Sequence, residues 1–439
     1  MPLSRLFSFE SGSLVQLTVV FVVLSLPLQE ALAEKVFFAG YKGGFYIRSE
    51  EEGGMELLLG GAFRTDYRYF AEEARADNRF DIRRARLRFK GQLTRYFRFA
   101  MEYEFQGNET NNLVDAFGEA VFDPSALRFG QFKEPFSLEW QTVNKAQYFS
   151  ERSMGYYLGP KRDIGVMLHG AVFQEAATYA LGLFNGDGDD GSTAGPEADS
   201  PEVAARLTLS PFKGMRSPWW RGVHMGASAT YAQIDPINVN LRVKSTGMVG
   251  TDLNVYVLSH NTKFGVIQEA GSRYRLGLEA AWTVGPVMFQ GEYLSLSYTD
   301  LTTSGDSPPD ADFSSWYASA VWWVTGERPV LSKGVVKPIY PDRFFNPQEG
   351  TWGALGLAIR YNRFRGDEDW INPAAFVSVA EAEALSLAVN WVLYPMVRMA
   401  IDYTHTSLAD PIRVRVRPDG STDYIDEENV VTCLFRIDF

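Results

Sequence analysis

One cysteine in 439 residues excludes an intramolecular disulfide framework and any multi-cysteine metal cluster. Four widely spaced histidines argue against a histidine-rich metal centre. Basic charge is short: 42 Lys+Arg stand against 54 Asp+Glu, for a formal net charge of −12. A nucleic-acid binder shows the opposite balance, so no nucleic-acid partner is expected. Beyond the N-terminus there is no apolar run approaching the roughly 20 residues of a transmembrane helix. What is present is aromatic and glycine-rich, with 31 Phe, 21 Tyr and 39 Gly. With a mean hydropathy of only −0.16, that composition suits strands that are apolar on alternate residues.

The N-terminus reads as an export signal. Arg5 lies in a short polar lead, Leu14 to Leu28 forms an apolar run too short to span a bilayer, and Ala31-Leu32-Ala33 places small residues where a signal peptidase cuts. Cleavage after Ala33 is expected, then an N-terminal periplasmic segment over 34–56 and a barrel over 57–439.

Period-two patterning marks strands with two unlike faces. In 383–393, Leu385, Leu387, Val389, Trp391 and Leu393 oppose Ser386, Ala388 and Asn390. In 96–105, Phe97, Phe99, Met101, Tyr103 and Phe105 oppose Arg98, Glu102 and Glu104. In the last strand, Val431, Cys433, Phe435, Ile437 and Phe439 oppose Arg436 and Asp438, which leaves the lone cysteine as a small apolar filler. The polar face repeatedly carries charge in mid-strand, which fits lipid outside and water inside. Strands are expected at 57–70, 79–91, 96–106, 112–122, 126–133, 163–173, 177–184, 201–209, 222–234, 272–284, 286–298, 312–325, 351–364, 383–393, 396–406 and 427–439. Sixteen strands joined by alternately short and long connections describe an all-β, antiparallel transmembrane barrel with short periplasmic turns and long outer loops. The stretch 326–350 departs from this, because a periplasmic turn there should be short.

Strand 79–91 carries the clearest chemistry. Arg84, Arg86, Arg88 and Lys90 share a face, about 6.8 Å apart. A cation facing lipid would cost roughly 2–4 kcal/mol at the midplane, so this face belongs to the lumen. Arginine offers an oxyanion a planar fork of donors and lysine a point charge. Parity turns Arg83 away from Arg84 and sets Arg84 opposite Glu102, leaving Arg86 and Arg88 with fewer evident partners. Inward-facing Glu104, Asp115, Glu119, Glu279, Glu292 and Asp402 also make a plain arginine–carboxylate lattice a competing reading. By the same parity, Leu387→Arg should impair assembly and Ser386→Arg should be tolerated. His405 faces lipid or the aromatic girdle by parity, and His169 faces the lumen with no nucleophile in evidence, so neither a catalytic site nor a cofactor is expected. The segment Asn185-Gly-Asp187-Gly-Asp189 resembles the start of a calcium loop, but Asp190 and Pro196 occupy the positions that need Gly and Glu, so no metal site is expected.

The segments FDIRRARLRFKGQL (80–93), LRFGQFKEPFSLE (127–139), SERSMGYYLGPKRDIGVMLHG (150–170), GPVMFQGEYL (285–294) and YASAVWWVTGE (317–327) resemble the phosphate-selective porin O and P family. The resemblance implies a trimeric outer-membrane barrel of a Gram-negative-type bacterium, with basic residues at a constriction and loops folded inward. Loop 134–162 matches the inward-folding loop, Lys145 the constriction lysine, Arg83 and Arg84 the paired arginines, and Asp115 an acidic residue beside them. One family arginine is replaced by Ala62, for which Arg64 is expected to stand in. The loop 235–271, where the family's phosphate channels carry a run of arginines, here offers only Arg242, Lys244 and Lys263. The expected pore path is Arg83, Arg84, Arg86, Arg88, Lys145, Arg242 and Lys244, with Glu102 and Asp115 as acidic partners. Expected partners are small anions, phosphate first, together with outer-membrane lipid and lipopolysaccharide and two further copies of the chain. The alternatives are a general diffusion porin and a non-channel structural or adhesive barrel.

Overall fold

The computed structural model describes residues 37–439 apart from 42, 52, 72–76, 107–111, 187–200, 236–238, 248–253, 260, 305–307, 373–376 and 417–418. The expected export signal and the acidic run at Asp187, Asp189 and Asp190 lie outside the described residues.

Sixteen strands close into one antiparallel barrel. They are β1 Glu56–Phe70, β2 Arg79–Thr94, β3 Phe97–Glu104, β4 Leu113–Phe122, β5 Ser125–Lys133, β6 Arg162–Val172, β7 Ala177–Phe184, β8 Glu202–Leu209, β9 Val223–Ile234, β10 Gly265–Val284, β11 Val287–Thr303, β12 Ala311–Trp323, β13 Ala354–Arg365, β14 Glu381–Tyr394, β15 Val397–Val416 and β16 Thr422–Asp438. Closure comes from β16 pairing with β1, from Val430 opposite Phe70 to Asp438 opposite Ala62. A closed sheet has no free edge, so every ladder group is satisfied inside the wall. Every strand expected from alternation is present. The back strands are longer at their outer ends than the alternation suggested: β10 starts at Gly265 and β15 runs on to Val416.

The lipid face follows the expected parity. Leu385, Leu387 and Val389 are exposed on the outside, while Ser386, Ala388 and Asn390 are buried inside. Segment 34–56 contains structure the patterning did not show. Phe37–Tyr41 and Phe45–Ser49 form a hairpin that joins the sheet at the start of β1, Phe45 opposite Leu59.

The barrel interior is filled unevenly. Loop 134–161 lies against the inside of the wall, with Phe136, Leu138 and Met154 fully buried. From the outer side, a two-stranded ribbon of Leu241–Val243 and Tyr256–Leu258 also enters. It buries Val239, Leu241, Val243, Tyr256 and Leu258 against Leu294, Leu296, Tyr298, Phe313 and Phe364 of the back wall. From the periplasmic side, the long stretch 324–353 does the same. Its Val336 and Ile339 pack with Trp323, Met288, Ala354 and Val392. A hairpin tip at Lys333 and Gly334, both at positive φ, carries it up to the inward loop, where Val336 N donates to Thr142 Oγ1 at 3.3 Å. The departure of 326–350 from the short-turn rule is therefore a second inward plug.

A basic cavity between the front wall and the inward loop

The plugs fill the back of the barrel and leave a cavity of about 1030 Å³ against β2–β7. Twelve Lys and Arg residues line it against six Asp and Glu. The chain as a whole has the opposite balance, at −12. In a channel with low-dielectric walls, such an excess focuses a positive potential on the lumen.

The inward loop is pinned by carboxylates that parity had only marked as inward-facing. Glu292 caps the short helix Leu138–Gln141, accepting from Ser137 Oγ at 2.8 Å and from the Leu138 amide. Glu139 accepts from Arg360 Nη1 at 3.0 Å and from Ser153 Oγ at 2.7 Å. Asp402 accepts from the Ser150 amide, and Asn390 Nδ2 donates to Tyr148 O at 3.0 Å. On the front side, Glu151 draws in Arg68 at 2.6 Å and Arg83 at 3.3 Å. Burial alone would raise the Glu151 carboxyl, but Arg83, Arg68 and Arg64 override it and hold it well below the usual carboxylate range. Glu292 and Asp402 thus serve the loop backbone and, among the described residues, form no ion pair with an arginine.

Arg83 corrects the parity reading. The β1–β2 register shifts there: Arg64 faces Arg84, but Thr65 faces Ile82, so Arg83 is the extra residue of a bulge. A bulge re-aims a side chain. Both arginines therefore serve the lumen side, Arg83 as a loop anchor at Glu151 and Arg84 on the cavity wall. Arg64 is buried and engaged, with Nη2 at 2.6 Å from Asp66 and Nη1 donating to Ser150 O at 2.9 Å, while Ala62 lines the cavity.

The pairing of Arg84 is a second correction. The register sets Arg88 opposite Glu102 and Arg86 opposite Glu104. Arg86 donates to Glu104 at 2.6 Å and to Glu102 at 2.9 Å, and Arg88 to Glu102 at 2.6 Å. Arg86 and Arg88, expected to have fewer partners than Arg84, are the paired ones, because the turn between β2 and β3 is only Arg95-Tyr96 and the register lies four residues from the expected one. Among the described residues, Arg84, Lys90 and Lys145 line the cavity with no ion-pair partner. Lys145 sits in the short turn of helix Asn144–Ala146, facing β2 across the cavity. Burial holds its ammonium below the usual lysine value, Asp438 opposing and Arg88 and Arg436 reinforcing the shift.

Asp115 lines the cavity but pairs at 2.8 Å with Arg162, which the patterning did not single out. Arg162 and Lys133 face each other at the two roots of the loop, where strands end and alternation stops governing direction. They crowd around Trp140 with Arg152: Lys133 Nζ lies 4.5 Å, and the Arg152 and Arg162 guanidinium carbons 5.2 Å, from its ring centre. Glu119 gathers Arg128 at 2.7 Å and His169 at 2.9 Å. Arg242 is exposed on the outer ribbon, and neither Arg242 nor Lys244 lines this cavity, because the ribbon turns its apolar residues inward.

A family model, phosphate-selective porin O and P, matches residues 58–415. The chain belongs to this family. Porin O of Pseudomonas aeruginosa is 23% identical over 394 residues, covering 82% of this chain and 85% of that protein. Among solved structures, an anion-selective porin from Comamonas acidovorans superposes with a TM-score of 0.54 at 13% identity, over 88% of this chain and all of that one (100%). In-vitro folded OmpT, an outer membrane protein of Vibrio cholerae in trimer form, gives a TM-score of 0.53 at 9% identity, over 88% and 100%. At these identities the structural likeness speaks for the fold alone. Family and fold together make this porin a channel-forming barrel of the outer membrane.

Proposed function

We propose that this porin passes small anions in preference to cations, with phosphate and related oxyanions as its solutes. The observation that carries the reading is the charge of the cavity wall: twelve cations against six carboxylates in a chain that is acidic overall. Among the described residues, Arg84, Lys90 and Lys145 supply attracting charge outside any ion pair, and Arg86 and Arg88 add donors already oriented by Glu102. A series of weak, similar sites lets an anion step along the wall instead of being trapped. The family's description, phosphate-selective porin O and P, points the same way. We also place export by cleavage after Ala33, a homotrimeric assembly and contact with lipopolysaccharide within this reading. The test is a bilayer recording under a KCl gradient, followed by titration of phosphate against chloride. A reversal potential of anion sign and current block by phosphate are expected, and a cation-sign potential would overturn the reading. A general diffusion porin is the second reading, favoured by the pairing of Arg86, Arg88, Arg128, Arg162 and Arg206 with carboxylates. It predicts anion preference without phosphate block.

A further inference from the structure

Most periplasmic turns of this barrel are tight, but the connection from β8 to β9, residues 210–222, is not. It protrudes as a knuckle that ends in a short helical turn, Pro218–Arg221, and it contains no acidic residue. Trp219, Trp220 and Met215 are exposed on it. Trp219 is fixed to the lipid face of the wall. Its ring lies 5.5 Å from Trp282, Trp282 Nε1 donates to the Trp219 carbonyl at 2.7 Å, and Trp282 stacks on Phe289 at 5.6 Å. Trp220 is braced by Phe212 at 5.5 Å. Amphipathic tryptophans of this kind settle at headgroup level.

The charges beside them are of two kinds. Lys213 is engaged, donating to Gln174 O at 2.7 Å and lying 3.5 Å from Glu175. Arg216 and Arg221 are exposed and have no ion-pair partner among the described residues. Two unengaged guanidinium groups beside a tryptophan surface, at the membrane boundary, complement a phosphate ester anchored in the bilayer. A guanidinium fork binds such a group with two parallel hydrogen bonds.

We infer that the 210–222 knuckle is a docking site for an anionic phospholipid of the periplasmic leaflet. Arg216 and Arg221 hold its phosphodiester, and Trp219 and Trp220 lie against its glycerol and upper acyl chain. The inference rests on the outer-membrane placement of the barrel and is independent of the pore's selectivity.

The test compares the full-length mature porin with R216Q/R221Q and W219A/W220A in nanodiscs of phosphatidylcholine containing a minor fraction of phosphatidylglycerol. Native mass spectrometry of the released porin counts retained lipids, and heat-modifiable mobility confirms that each variant is folded. The wild type should retain phosphatidylglycerol up to roughly thirtyfold over its share of the bilayer, as expected for two interfacial arginines. R216Q/R221Q should lose that preference, and W219A/W220A should retain less of both lipids. Reversal potentials of R216Q/R221Q should match the wild type, which separates this site from the pore. Unchanged phosphatidylglycerol preference in R216Q/R221Q, or none in the wild type, would overturn the inference. So would a cross-linker placed at Trp219 that captures a second copy of the chain in place of lipid.

Discussion

The front and back walls of this barrel obey the same alternation and differ in what their inner faces meet. On the front wall the inward residues are Arg84, Arg86, Arg88, Glu102 and Glu119, and they line open space. On the back wall the inward residues include Leu294, Leu296, Tyr298, Phe313 and Phe364, and they are buried beneath the ribbon and the loops. Facing inward therefore means facing water on one side and facing a packed core on the other. The charged positions of the back wall make the same point. Arg360 is 2% exposed and Asp402 5%, and both hold the inward loop in place.

The sharpest way to break the comparison is to place the same charge on both walls. Ser386 is only 1% exposed and shares a 3.0 Å hydrogen bond with Thr404, so facing inward does not by itself make room for arginine there. Ser386→Arg should abolish the heat-modifiable folded form. Leu387→Arg should weaken assembly by roughly 2–4 kcal/mol. Ala62→Arg on the front wall, pointing into the cavity beside Arg86, should fold and move the reversal potential further toward anions. If Ser386→Arg and Ala62→Arg fold equally well, the two interiors do not differ.

Next in size is the pairing on the front wall. Replacing Arg86 and Arg88 together by Ala leaves buried Glu102 without a cation and should destabilise the barrel by about 3–5 kcal/mol, measured as a shift of the denaturant midpoint. Arg84→Ala removes an unpaired cation, so stability should hold while anion preference falls. Equal destabilisation by both changes would contradict the pairing described above.

Lys145→Glu should move selectivity toward cations, since it reverses a cavity charge that has no ion-pair partner among the described residues. A finer test uses pH. The lowered value of Lys145 means that its charge is lost at a lower pH than that of a free lysine. Anion preference should therefore weaken as pH rises into the alkaline range, and Lys145→Arg should remove that part of the dependence. The smallest effect is expected on the lipid face: Cys433→Ala should leave selectivity unchanged.

Much of this was legible from residue order. Alternation fixed the sixteen strands, the lipid face and the inward set at Arg84, Arg86, Arg88 and Lys90, because the two-residue period is a local property of an extended chain. The basic loop lysine and its inward path came from family resemblance. Four features were not legible. The bulge that turns Arg83 inward depends on how β1 and β2 slide past each other. Pairing of Glu102 with Arg86 and Arg88 depends on one turn's length. Roles for Arg162 and Lys133 arise at strand ends, where direction is set by what packs there. The back-wall core depends on two plugs entering from opposite ends, and whether a connection folds into the barrel or away from it is set by what it packs against inside. Period and charge sign are written in neighbouring residues, so the sequence alone determined the barrel and its basic stripe. Register and loop placement arise from contacts between distant segments, and only the tertiary structure decided which inward charges are free to meet a solute.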